Sequence, residues 1–166
     1  MPSPQPTLTR RSVLLSAAAL AVLSATASAC GASTPPPEVG ELTAQLDRAR
    51  ADSQLATDAA AAARPAVAKA LTAVAAERSA HAQALTDELV RMVGDEVPTA
   101  TPTSTTAEAV EPPTVKDVIG ALKTSAENAT ELAAKFSGYR AGLLGSIAAS
   151  CTAAYTVALV PPGGAQ

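Results

Sequence analysis

Where proline falls decides what this chain can build. No proline lies between Pro37 and Pro65, between Pro65 and Pro98, or between Pro113 and Pro161, whereas Pro98, Pro102, Pro112 and Pro113 crowd one short stretch. Proline is tolerated in the first turn of a helix but breaks an interior. The spacing therefore predicts helices in the proline-free runs and irregular chain in the crowded one. A first helix is predicted over about Glu38 to Ala62, with Val39, Leu42, Leu46, Ala49, Ser53, Ala56 and Ala60 recurring on one face. A second runs from Pro65 to Val93, with Val67, Leu71, Val74, Leu85, Leu89 and Met92 on a stripe and Gly94 as its stop. The pair reads as an antiparallel hairpin; the alternative is one long helix kinked at Pro65.

The third helix has a marked start. Thr114-Val115-Lys116-Asp117 follows two prolines and has the form of a capping box. Val115, Val118, Ile119, Leu122, Ala126, Ala129, Ala133 and Phe136 then share a face, and Ser137-Gly138 breaks the run. A fourth helix is expected from about Tyr139 to Val160, with Leu143, Leu144, Ile147, Cys151, Ala154 and Ala158 inward, before Pro161-Pro162-Gly163-Gly164. Residues 97–113 form a Pro-, Thr- and Ser-rich linker; such composition can mark O-glycosylation, but a plain connection is the simpler reading. The connections thus run short, long, short. Ferritin-type four-helix bundles carry one long crossover between their second and third helices. The linker could span about 50 Å at roughly 3.1 Å per residue. A helix of about 25 residues covers only about 38 Å. The expected fold class is therefore all-α, a ferritin-like four-helix bundle of two hairpins with a small alanine-rich core, with a slack up-down-up-down arrangement as the alternative.

Ahead of the helices lies a different kind of segment. Met1 to Arg11 carries the adjacent pair Arg10 and Arg11 and no acid, and an apolar run from Val13 to about Ala29 follows. The run is shorter than a spanning helix needs and is diluted by Ser16, Ser24, Thr26 and Ser28. It reads as a cleavable signal peptide over residues 1–29. Thr9-Arg10-Arg11-Ser12-Val13-Leu14 resembles a twin-arginine export signal, although two arginines also serve simply to make an n-region positive. Ala27-Ser28-Ala29-Cys30 has the small residues and cysteine of a lipobox, with Ala27 where Leu, Val or Ile is usual. The expectation is acylation of Cys30 and anchorage to the outer face of the cytoplasmic membrane. Cleavage without lipidation is the competing outcome. Residues 30–37 would form the tether and 161–166 a disordered tail.

Composition removes several functions. Losing Arg10 and Arg11 with the leader takes two of the 12 basic residues and leaves 15 acidic ones, a net charge of −5. Nucleic-acid binding needs clustered Lys and Arg, so it is excluded. Aromatic residues make up 2% of the chain, namely Phe136, Tyr139 and Tyr155, too few for a sugar-stacking platform. With Cys30 acylated, Cys151 has no partner for an intramolecular disulfide.

Two stretches carry a family resemblance. Val74-Ala75-Ala76-Glu77-Arg78-Ser79-Ala80-His81-Ala82-Gln83-Ala84-Leu85 resembles the second helix of the alanine-rich ferritin-like domain of actinobacterial exported lipoproteins. Leu143-Leu144-Gly145-Ser146-Ile147-Ala148-Ala149-Ser150-Cys151 resembles its last helix. The resemblance covers about Glu38 to Val160; it implies the bundle and brings no established activity with it.

A ferritin-type di-iron site needs an acid on two helices and Glu-x-x-His on the other two. The first helix offers Glu41, Asp47, Asp52 and Asp58, the third Glu127 and Glu131. Glu77 and His81 are spaced Glu-x-x-x-His, and the fourth helix has no Asp, Glu or His. No metal or cofactor is therefore expected. His81 reads as a boundary histidine capped by Glu77. Arg78 falls near the centre of its helix's apolar stripe, where an unpaired guanidinium would be very costly. Asp52, level with it in an antiparallel hairpin, is the expected partner, and the pair would set hairpin register; the alternative is that Arg78 snorkels to water. Asp52, Glu77, Arg78 and His81 are thus read as a structural polar cluster. Cys151 sits on an apolar stripe with no base within a turn, which reads as inert packing rather than a nucleophile. Asn128-Ala129-Thr130 is a glycosylation sequon on a predicted helix and carries no weight.

These residues point to an exported, lipid-anchored, non-enzymatic bundle acting as an accessory or interaction domain toward another envelope protein. The competing class is a module holding a small apolar or lipid ligand between the helix pairs. A pocket of several hundred Å³ lined by Leu, Ile and Phe136 would favour the second. A degenerate ferritin-like metal protein is the third. Whether the helices close within one chain or across a homodimer is left open by the sequence.

Overall fold

The computed structural model describes residues 36–94 and 111–160. Arg10, Arg11, Cys30, most of the tether and linker, and the tail 161–166 lie outside the described residues. Helix α1 spans Pro37–Ala62, α2 Pro65–Val93, α3 Val115–Lys135 and α4 Gly138–Ala153. Among the described residues there is no strand. The architecture is an all-α four-helix bundle.

Local chemistry explains each boundary. Pro37 and Pro65 occupy first helical positions, where a missing N–H costs nothing. Pro37 thus belongs to α1 and not to the tether. Only Ala63 and Arg64 separate α1 from α2, so the two form a hairpin rather than one kinked rod. Gly94 ends α2 at φ 72°, a backbone state open to glycine, and its N–H bonds the Val90 carbonyl. At Thr114 the capping box is complete. The Thr114 N–H donates to Asp117 Oδ2 at 2.8 Å, and Thr114 Oγ1 accepts from the Asp117 N–H at 3.3 Å. Thr114 Oγ1 also donates to Asp117 Oδ2 at 2.7 Å, and this hydroxyl bond, with the Thr114 N–H bond, holds the Asp117 carboxyl below its ordinary pKa. Gly138, at φ 59°, makes the sharp entry to α4.

Side-chain contacts give the direction of every helix. Arg140, at the start of α4, pairs with Glu38 at the start of α1 at 2.9 Å. Arg140 also reaches Met92 at the end of α2. At the other end, the starts of α2 and α3 meet the end of α4. Thus α1 runs with α4, and α2 with α3. Gly94 and Thr114 lie at opposite ends of the bundle, so α3 starts at the end where α2 starts, and the up-down-up-down alternative does not hold. Helix α1 packs most extensively on α2, then α3 on α4, with α1 on α3 a smaller contact.

Leucine and alanine share the core. Leu42, Leu46, Leu71, Leu85, Leu89, Leu122 and Leu144 are wholly buried, while Ala49, Ala56 and Ala129 let backbones approach between them. Most residues expected inside are buried, and the departures lie at the margins of each face. In α1, Asp52 and Ala59 are buried where Ser53 and Ala60 were expected; in α3, Ser125 and Leu132 are buried while Val115, Ile119, Ala133 and Phe136 are half-buried. In α4 the cause is visible. Residues Ala154–Ala158 are wound as a π-helical turn, with Leu159 N–H bonding the Ala154 carbonyl at 3.0 Å. The wider turn leaves Ala158 exposed and buries Leu159 instead.

Candidate functional site

Two places stand apart from ordinary helix packing: a buried polar knot at mid-bundle and an apolar cleft at one end. In the knot, Arg78 of α2 is 2% exposed and Asp52 of α1 is 5% exposed, values at which an unpaired charge could not persist. Arg78 Nη2 lies 2.9 Å from Asp52 Oδ2, and Arg78 Nε donates to the same oxygen at 3.1 Å. Ser125 of α3 donates its hydroxyl to that oxygen at 2.6 Å. Arg78 Nη1 meets His81 Nδ1 at 3.1 Å. Three helices are therefore tied through one carboxylate oxygen. Arg78 does not snorkel.

The protonation state of His81 follows from its setting. Burial lowers its pKa from the ordinary 6.5, the Arg78 cation lowers it further, and Glu77 opposes them more weakly. The ring is neutral near pH 7, so Nδ1 can accept from the guanidinium. Glu77 does not cap His81 as expected. Its carboxylate faces outward and accepts a hydrogen bond from Ser150 of α4. The structural cluster thus divides: Asp52, Arg78 and His81 join with Ser125, while Glu77 binds α2 to α4.

Cys151 lies within electrostatic reach of the knot. Cys151 is buried, and burial raises its thiol pKa above the ordinary value, with Arg78 opposing weakly. A thiol so placed is protonated and shielded from electrophiles. Among the described residues no three of His, Cys, Asp and Glu gather as a metal-ligand set. None of Glu41, Asp47, Asp58, Glu127 and Glu131 joins Glu77 and His81 in such a set.

The cleft lies between the hairpins at the end where α2 and α3 begin and α4 finishes. Its volume is about 540 Å³. Val67 and Ala70 of α2, Val115 and Ile119 of α3, and Leu159 and Val160 after the π turn form its walls. Arg64 and Lys116 stand at its edge, both exposed. It contains the Ile and Leu expected of a ligand site between helix pairs. Phe136, expected with them, sits at the far end of α3 and takes no part.

Ser125 and the cleft were both missed from the sequence. Ser125 lies seven residues from Val118 and from Leu132, hence two turns along the same face, and that register would have found it. The cleft carries no such signal, because it is assembled from the ends of three helices. No protein-family model, curated protein or solved structure matches the chain.

Proposed function

We propose that this chain is an exported, lipid-anchored protein of the cell envelope that works without catalysis, by holding a small apolar or lipid ligand between its helix hairpins. The observation that carries this reading is the cleft of about 540 Å³ walled by Val67, Val115, Ile119 and Leu159. Ligand sites commonly enclose about 300–1,000 Å³ with mostly apolar walls. Each methylene withdrawn from water there contributes about 0.8 kcal/mol. Arg10 and Arg11 ahead of an apolar run, then Ala27-Ser28-Ala29-Cys30, support export and acylation of Cys30. Parallel α2 and α3, with the long connection that they require, support the resemblance to the alanine-rich ferritin-like domain of actinobacterial exported lipoproteins.

Native mass spectrometry of the protein isolated from membranes tests both halves. The expected species starts at an acylated Cys30 and carries a non-covalent apolar adduct. An N-terminal peptide with unmodified Cys30 removes the anchor. No adduct, together with no uptake of an apolar fluorophore, removes the ligand.

A second reading, an accessory domain docking another envelope protein or a second copy, is favoured by the groove between α2 and α4. Ala70, Ala73, Ala153 and Val157 line it, and Val157 is 73% exposed. Crosslinking in intact cells followed by co-purification would separate this reading from the first.

A further inference from the structure

We infer that the cleft takes a single-chain anionic amphiphile, a free long-chain carboxylate, with its acyl chain along Val67, Ile119 and Leu159 and its head between Arg64 and Lys116. This rests on the ligand-binding reading above and names the ligand's chemical class. Charge complementarity is the argument. Of the described residues that line the cleft only Arg64 and Lys116 are charged, and both are cations, in a chain whose formal net charge is −3.

The two cations come from different elements. Arg64 immediately precedes α2, and Lys116 lies in the first turn of α3, so they face the cleft from separate walls. Among the described residues neither forms an ion pair with a carboxylate. Asp117, next to Lys116, is bound back onto Thr114 by the capping box. Long basic side chains can lay their stems on an apolar wall while their heads stay in water, so both ends of an amphiphile are matched.

The helix termini do not add to this positive charge: the N-termini of α2 and α3 meet the C-termini of α1 and α4 at this end, so their partial charges offset one another. A neutral hydrocarbon would leave the two cations unanswered, and a cation would be repelled.

The test uses the full chain carrying Cys30→Ser, so that no acyl group of its own competes. Binding of palmitate, and of the alcohol of equal chain length, is measured by displacement of an apolar fluorophore. Palmitate should bind about tenfold more tightly than the alcohol, the sum expected from two solvent-exposed charge contacts. Arg64→Gln with Lys116→Gln should abolish that preference and leave the alcohol's affinity unchanged; both residues are exposed, so folding is not at risk. Equal binding of acid and alcohol by the parent chain would sink the head-group assignment while the ligand-binding reading stood. A preference that survives the double substitution would move the head group elsewhere and overturn the assignment too. Binding of neither compound would bring down the ligand-binding reading itself. Adsorption to anionic phospholipid vesicles without uptake of monomeric palmitate would give the rim to a membrane surface and refute the inference.

Discussion

The middle of the bundle and its cleft end distribute polarity in opposite ways. At mid-bundle an Arg, an Asp and a Ser are buried, and their side chains bond one another and His81. At the cleft end Val67, Val115 and Ile119 are left half-buried, and the charges stand outside them. Burying charge has a desolvation cost that the pair only offsets, so the knot is better suited to selecting one packing than to stabilising it. Leaving aliphatic surface uncovered forgoes hydrophobic stabilisation. The first region gives up energy for uniqueness, the second for access.

The largest effect that would break this contrast is Asp52→Ala. It strands Arg78 in the core and should destabilise the bundle by about 3–5 kcal/mol, measured by urea unfolding. Arg64→Ala at the cleft should stay within about 0.5 kcal/mol of the parent. Replacing the pair together, Asp52→Leu with Arg78→Met, should leave stability equal or higher. If that variant also keeps the parent's hairpin pairing, followed by crosslinks between engineered cysteines in α1 and α2, the pair does not choose the register.

Ser125→Ala comes next. It removes a donor from Asp52 Oδ2 and a contact to Arg78, and should cost about 1–3 kcal/mol. A cost near zero would mean that α3 is not tied into the knot. Gly120→Ala, one residue past the cleft residue Ile119, should instead stabilise by about 1 kcal/mol. A Cβ there meets nothing within 4 Å, and alanine is the better helix former. Loss of stability would show that this end is more tightly filled than the cleft implies.

The smallest effect is the dependence on pH through His81. Its pKa in the folded chain is below 6.5, so on acidification the unfolded chain takes up the proton first. Stability that is full above pH 6.5 should fall as the pH drops below it. His81→Asn, which keeps an acceptor toward Arg78, should flatten that limb of a plot of Tm against pH. An unchanged limb would place the acid sensitivity in the carboxylates.

Legibility followed the same divide. Helix limits could be read from Pro65, Gly94, the Thr114 cap and Gly138 because each acts within a few residues. Asp52 and Arg78 could be paired because a charge on an apolar stripe demands an opposite charge at the same level. The face of α3 was legible at its centre, where Val118, Leu122, Ala126 and Ala129 are buried as expected, and not at its margins. Val115, Ile119, Ala133 and Phe136 make one apolar arc, Val118, Ser125 and Leu132 an overlapping one, and packing against α1 and α4 selects the second. Nothing in Ala154-Tyr155-Thr156-Val157-Ala158 announces an extra residue in the turn. Glu77 was misassigned because its partner, Ser150, is distant in sequence.

Parallel α1 and α4 place Pro37 and Ala158 at opposite poles. Helix α1 has 26 residues, about 39 Å at 1.5 Å per residue. A domain fused after α4 would therefore stand a full bundle length from whatever holds the start of α1. The same polarity makes a direct head-to-tail splice of the chain impossible without a connector of that reach.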